Sequence, residues 1–166
     1  MKRCKIKLIL PALAGLTLLA ACEQAPETAP TSEAASAELA NGLTVKEQIE
    51  ARQGQLKKMG KAFKTISDQL KADSPDLSQI QTAAAAVPEE SATMIDWFPE
   101  GTGPESGVET EALPVIWENK ADFNLKVTAL QDAAALLDSA AQTGDIAAIG
   151  AAFKTTGGTC KACHDK

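Results

Sequence analysis

Apolar side chains recur at alternating intervals of four and three residues through most of this 166-residue chain. From Val45 the series runs Ile49, Arg52, Leu56, Met59, Phe63, Ile66 and Leu70, and apart from its one arginine it suits the buried seam of a bundle helix. Thr44-Val45-Lys46-Glu47 reads as the capping box that starts this helix. Asp73-Ser74-Pro75 ends it and predicts a second helix, with Ser74 as N-cap and Pro75 at the first helical position. Leu77, Ile80, Ala84 and Val87 line that helix, and Pro88 is expected to kink or break it. Ile116, Phe123, Val127, Leu130, Ala134 and Leu137 mark a third helix; a fourth begins near Asp145 and carries Ile146, Ile149, Phe153, Thr156, Cys160 and Cys163 along one stripe. No stretch alternates with the period of a strand. Short connections between the first and second helices, and between the third and fourth, favour antiparallel neighbours. The expectation is an all-α, antiparallel four-helix bundle over residues 39–166, of ordinary single-domain size.

The N-terminal pattern is different. Met1 to Lys7 form a basic region, and Leu8 to Ala21 an apolar stretch too short to span a bilayer as a mature helix, so residues 1–21 read as an export signal. Leu19-Ala20-Ala21-Cys22 resembles a bacterial lipobox, which predicts cleavage before Cys22 and lipidation of its thiol; simple cleavage leaving a soluble protein is the alternative. Acyl chains contribute about 0.8 kcal/mol per buried methylene, so several on Cys22 would hold the protein on the membrane. Residues 23–37 lack large apolar side chains and are rich in Ala, Pro, Glu, Ser and Thr, so residues 22–38 read as a flexible tether, with a helical tether as the minor variant.

Charge narrows the partners. Removing residues 1–21 takes away four basic residues and no acidic ones, leaving 12 Lys plus Arg against 22 Asp plus Glu and moving the net charge from -6 to -10. Nucleic acid and anionic lipid surfaces are poor partners for such a protein, and a basic redox partner suits it better.

The chemistry is concentrated at the C-terminus. Cys160-Lys161-Ala162-Cys163-His164 is a C-x-x-C-H run, the attachment signature of a covalent c-type haem. On a helix, residues three and four apart share a face, so two thioethers can hold one edge of a porphyrin while His164 turns its imidazole to the iron. A redox C-x-x-C or half a zinc site are the competing readings. Zinc wants four ligands, yet His164 is the only histidine and no second cysteine pair exists. Cys4 leaves with the signal, Cys22 takes lipid and the last two cysteines take haem, so the cofactor and not a disulfide staples the fold. The Gly-rich stretch between Pro99 and Pro114 lacks the Gly-Lys-Ser/Thr element of a phosphate loop. Arg52 needs a partner if buried; two haem propionates could bind it bidentately, or it could snorkel to the surface or pair with Glu50.

Four segments together carry a family likeness: 51–60 (Ala-Arg-Gln-Gly-Gln-Leu-Lys-Lys-Met-Gly), Trp97-Phe98-Pro99-Glu100-Gly101-Thr102, Leu113-Pro114-Val115-Ile116-Trp117 and Cys160 to His164. In this order the chain resembles the cytochrome c-prime family, the class II c-type cytochromes, over its whole length after the tether. The resemblance implies a periplasmic, often homodimeric protein with one covalent haem c inside the bundle and His164 as its proximal ligand. In high-spin members an apolar residue closes the distal face, and the five-coordinate iron binds NO and CO; in low-spin relatives a methionine at that position ligates the iron and the protein carries electrons. The position lies four residues after the helix-one arginine, and here it is Leu56. The likeness also places Arg52, Gln53, Thr110 and Glu111 at the haem periphery. Relatives usually continue past the haem motif with a basic residue on the proximal side, and most lack a lipobox.

With no tyrosine and no second histidine, a sixth protein ligand could come only from Met59, Met94 or a lysine. Met59, one turn along the seam from Leu56, is the main rival, and its ligation would make the protein a low-spin electron carrier. As a core residue it would merely pack softly against a ring. Trp97, Phe98, Phe123 and Phe153 are candidates for the pocket wall. A lipoprotein that never receives haem is the third reading. Enzyme chemistry is not expected, since no acid–base pair or histidine-activated nucleophile is present.

Overall fold

The computed structural model describes residues 32–166. The signal 1–21, the lipidation site Cys22 and most of the tether lie outside the described residues. Helix α1 is a single turn, Ser32–Ala35; α2 spans Val45–Leu70, α3 Leu77–Ser91, α4 the short Val115–Glu118, α5 Lys120–Thr143 and α6 Ile146–His164. Helices α2, α3, α5 and α6 make the four-helix bundle, and among the described residues the only strand-like feature is an isolated antiparallel bridge between Glu38 and Thr44. That bridge folds part of the tether-like segment back onto the entry to α2, with the Val45 amide donating to the Ala37 carbonyl.

Each of the four bundle helices starts at a side-chain cap. The Thr44 hydroxyl accepts from the Glu47 amide while the Glu47 carboxylate accepts from the Thr44 amide, a complete capping box. Asp145 Oδ1 accepts from the amides of Ala147 and Ala148 and so opens α6 at the predicted place. The second helix begins later than the sequence suggested. Its N-cap is Asp76, which accepts from the Gln79 amide, and Ser74 and Pro75 lie in the preceding turn. Pro88 does not end α3; the helix runs on to Ser91, whose hydroxyl donates to the Val87 carbonyl one turn back. Ile116 belongs not to the third bundle helix but to α4, because the chain breaks from helical geometry at Asn119, which then caps α5 by accepting from Asp122. Gly144, at φ 73°, takes the left-handed conformation that lets α5 turn directly into α6.

Pairing is antiparallel around the bundle. Gln81 donates to the Ala141 carbonyl and Gln131 to the Ser91 carbonyl, so α3 and α5 run in opposite directions. Ile66, Ile80, Leu137 and Ile149 are completely buried where the helices meet, each contributing about 1.5–3 kcal/mol of burial free energy. The long connection from α3 to α5 closes one end of the bundle, beside the start of α2 and the end of α6. That end is where the haem motif lies.

Candidate haem site

Cys160 and Cys163 sit one turn apart near the end of α6, as free thiols and both half-buried. Cys160 packs against the hydrophobic core, whereas Cys163 turns towards a small recess rimmed by Ile116, Asn119, Phe123 and Lys126. Burial pushes both thiols above the ordinary range; for Cys163, nearby Lys126 opposes that shift and Asp122 reinforces it. His164, the last residue of α6, is exposed. Among the described residues no group of three or more His, Cys, Asp or Glu side chains converges.

Arg52 is 2 % exposed, the largest of the fully buried side chains. Its Nη1 donates to the Thr102 hydroxyl at 2.9 Å, and its Nη2 to the Thr102 carbonyl at 2.7 Å and the Thr110 hydroxyl at 2.8 Å. The guanidinium also lies over the Phe98 ring at 4.8 Å and near Trp117 at 5.9 Å. The surface and Glu50 alternatives both fall, since Glu50 pairs instead with Lys46. No carboxylate lies within ion-pair distance of Arg52; burial lowers its pKa, and the charge of Glu105 only partly offsets this. Hydroxyl and carbonyl dipoles satisfy its hydrogen bonds without neutralising it. A buried cation so placed favours an anion.

The rings tie this cation to the cysteines. Phe98 meets Phe123 edge-on at 4.9 Å and Trp117 at 6.2 Å, and Phe123 borders the Cys163 recess. Between α2 and α6 the packing is sparse except where Phe63 stacks on Phe153 at 4.3 Å. Leu56, on this seam, is 37 % exposed even though its seam neighbours Arg52 and Met59 are buried. A Cβ at Gly60, one turn on from Leu56, would meet nothing within 4 Å. Paired thiols, an adjacent histidine, a loosely filled seam and a buried unneutralised cation fit a planar, propionate-bearing group.

The remaining predicted residues divide. Gln53 donates to the Glu109 carbonyl, stitching α2 to the long connection beside Arg52. Thr110 is brought to Arg52, whereas Glu111 is exposed and makes no hydrogen bond or ion pair with it. Trp97 is buried in the core with its indole N–H on Thr93, and Phe98 and Phe123 lie in the same cluster. Met59 is also part of that core. Thr102, Trp117 and Lys126 were not picked out as site residues by sequence, since loop hydroxyls and a helix lysine carry no periodic signal.

A family model described as Cytochrome C' matches residues 47–166, which is most of the chain. The chain belongs to the cytochrome c' family. Cytochrome c' of Rhodospirillum rubrum is 41 % identical over 117 residues, covering 70 % of this chain and 78 % of the relative. The crystal structure of cytochrome c' from Thermochromatium tepidum superposes with a TM-score of 0.69 at 32 % identity, over 75 % of this chain and 95 % of that one. A nitric oxide complex of a leucine-to-alanine mutant of cytochrome c prime from Alcaligenes xylosoxidans aligns with a TM-score of 0.65 at 32 % identity, covering 73 % and 92 %. As a cytochrome c' the protein carries one covalent haem c and is not a classical enzyme. Its four-helix bundle is the fold of these neighbours.

Proposed function

We propose that this cytochrome c' is an exported, membrane-tethered protein whose haem iron is five-coordinate and high-spin, binding NO and CO beneath Leu56 and able to exchange electrons. Cys160 and Cys163 form the thioethers and His164 supplies the proximal nitrogen. The bound haem contributes an iron centre that takes diatomic gases and changes oxidation state by one electron. One observation carries the coordination reading: Leu56 stands at the open seam while Met59, the rival ligand, is 9 % exposed and packed within the core. Leucine has no donor atom.

The protein's own groups divide the work. Arg52, held by Thr102 and Thr110 and stacked on Phe98, offers a fixed cation to the anionic edge of the porphyrin. Gln53 supports the same rim through Glu109. Leu56 excludes water and bulky ligands from the distal face and offers no hydrogen-bond donor, which favours small, weakly polar NO over a charge-separated oxygen complex. The nitric oxide complex of the Alcaligenes xylosoxidans mutant supports this choice of ligand.

In this reading the signal and Cys22 would put the bundle on the periplasmic side of a bacterial membrane, tethered by lipid or, after simple cleavage, soluble; among the described residues no helix is long and apolar enough to cross a membrane. Homodimerisation is part of this reading. The test uses protein made in a host that ligates haem c. Colour should survive denaturing electrophoresis and vanish in Cys160→Ser/Cys163→Ser, the ferrous form should take up NO and CO, and Met59→Leu should leave the resting spectrum unchanged. A spectrum that changes in Met59→Leu would overturn the five-coordinate assignment.

A further inference from the structure

Acidic and basic residues are not mixed evenly along this chain. Two stretches, 51–67 on α2 and 146–164 on α6, hold seven basic residues and no acidic one; the rest of the chain after residue 21 holds five basic and 22 acidic residues. The connection 92–119 alone has six acidic residues and no basic one. The two basic stretches border the same sparse seam, where Phe63 of α2 meets Phe153 of α6.

Lys57, Lys61 and Lys64 recur at helical intervals on the exposed face of α2, and Lys154 is exposed on α6. Lys64 pairs with Asp68, Lys58 with Glu90 and Lys161 with Asp165, but among the described residues Lys57, Lys61 and Lys154 have no carboxylate within ion-pair distance. Lys57 and Lys61 stand one turn apart, where like charges repel. A group of unpaired cations is thus set into an otherwise acidic molecule.

We propose that the α2–α6 seam is the docking face for an acidic surface of a redox-partner protein. Charge complementarity selects that occupant: the Debye length is about 10 Å at 0.1 M salt, so a protein approaching this face senses chiefly the lysines nearest to it. The net charge of the chain had pointed to a basic partner; the placement of the charges reverses that choice. The electron-exchange role rests on the haem lying in this seam, whereas the recognition of acidic surfaces does not.

The test uses the mature holoprotein and two probes. Poly-L-glutamate should shift the backbone NMR signals of residues 57–64 and 154, with affinity falling as salt rises and falling roughly tenfold or more in Lys57→Glu/Lys61→Glu. In stopped-flow oxidation of the ferrous protein, anionic ferricyanide should lose rate with added salt and cationic tris(phenanthroline)cobalt(III) should gain it, and the double variant should reverse both trends. Three results would overturn the proposal: salt trends in the wild type that follow the net charge, shifts that map away from α2 and α6, or a self-association abolished by the double variant, which would make a second copy the occupant. Colourless protein that still binds poly-L-glutamate would sink the haem reading and the electron role together while leaving the lysine face standing.

Discussion

Replacing Thr102 by valine isolates what holds the buried arginine. Thr102 is fully buried, and its hydroxyl accepts from Arg52 Nη1 at 2.9 Å while donating to the Pro99 carbonyl at 2.8 Å. Valine keeps the volume and the backbone carbonyl that receives Arg52 Nη2, but it removes both hydroxyl contacts. A hydrogen bond to a charged group is worth about 1.5–3 kcal/mol and a neutral one about 0.5–1.5 kcal/mol, so the loss should be ~2–4 kcal/mol. Thr110→Val removes one charged bond and a longer one from the Ala112 amide, at a less buried site, and should cost less than Thr102→Val. Urea unfolding of the holoprotein, followed by far-ultraviolet circular dichroism, measures this as a lower midpoint at unchanged slope. The double variant Arg52→Met/Thr102→Val should lose less than the two single losses added, because the contact is shared. A Thr102→Val protein within about 0.5 kcal/mol of wild type would refute the reasoning, since it would mean that Arg52 is satisfied without this hydroxyl.

Further expectations follow from the same geometry. Gly144→Ala meets no steric obstacle beyond ordinary contact with Leu77, so its cost should be that of the left-handed backbone alone, about 1–2 kcal/mol by thermal or urea unfolding. Hydrogen bonds from Thr44 hold the Glu47 carboxyl below its ordinary range, so its contribution is present above about pH 4.3 and is lost as pH falls through the lowered folded value. The melting-temperature gap between wild type and Glu47→Ala should therefore narrow from pH 6 to pH 3; a constant gap would contradict this. Leu56→Ala should open the distal face and raise the CO association rate by about tenfold, equivalent to ~1.4 kcal/mol, in flash photolysis.

The bundle was legible because its seams are repetitive: Val45, Ile49, Met59 and Ile66 on α2, and Phe123, Val127, Leu130, Ala134 and Leu137 on α5, are buried as their spacing required. Boundaries were less so. Ser74 and Asp76 are both competent caps, and only packing selects Asp76; Pro88 lies inside α3, which runs on only three residues past it to Ser91. At the site, the C-x-x-C-H motif and the oddity of Arg52 were visible, since an arginine in an apolar seam breaks a pattern. Its partners were not, because Thr102 and Thr110 reach it from some fifty residues away through a loop without periodicity. Net charge suggests a basic partner and the proposed docking face an acidic one, for a related reason. A sum over the chain carries no information about which helix faces share a seam.

The reduced electronic spectrum of the purified protein, recorded without added ligand, tests the central claim most directly. A vacant distal position under Leu56 predicts a high-spin ferrous spectrum with broad, unsplit visible absorption, and Leu56→Met should convert it towards a low-spin form. Sharp alpha and beta bands in the wild type would instead mean that a side chain of this protein already occupies the sixth position.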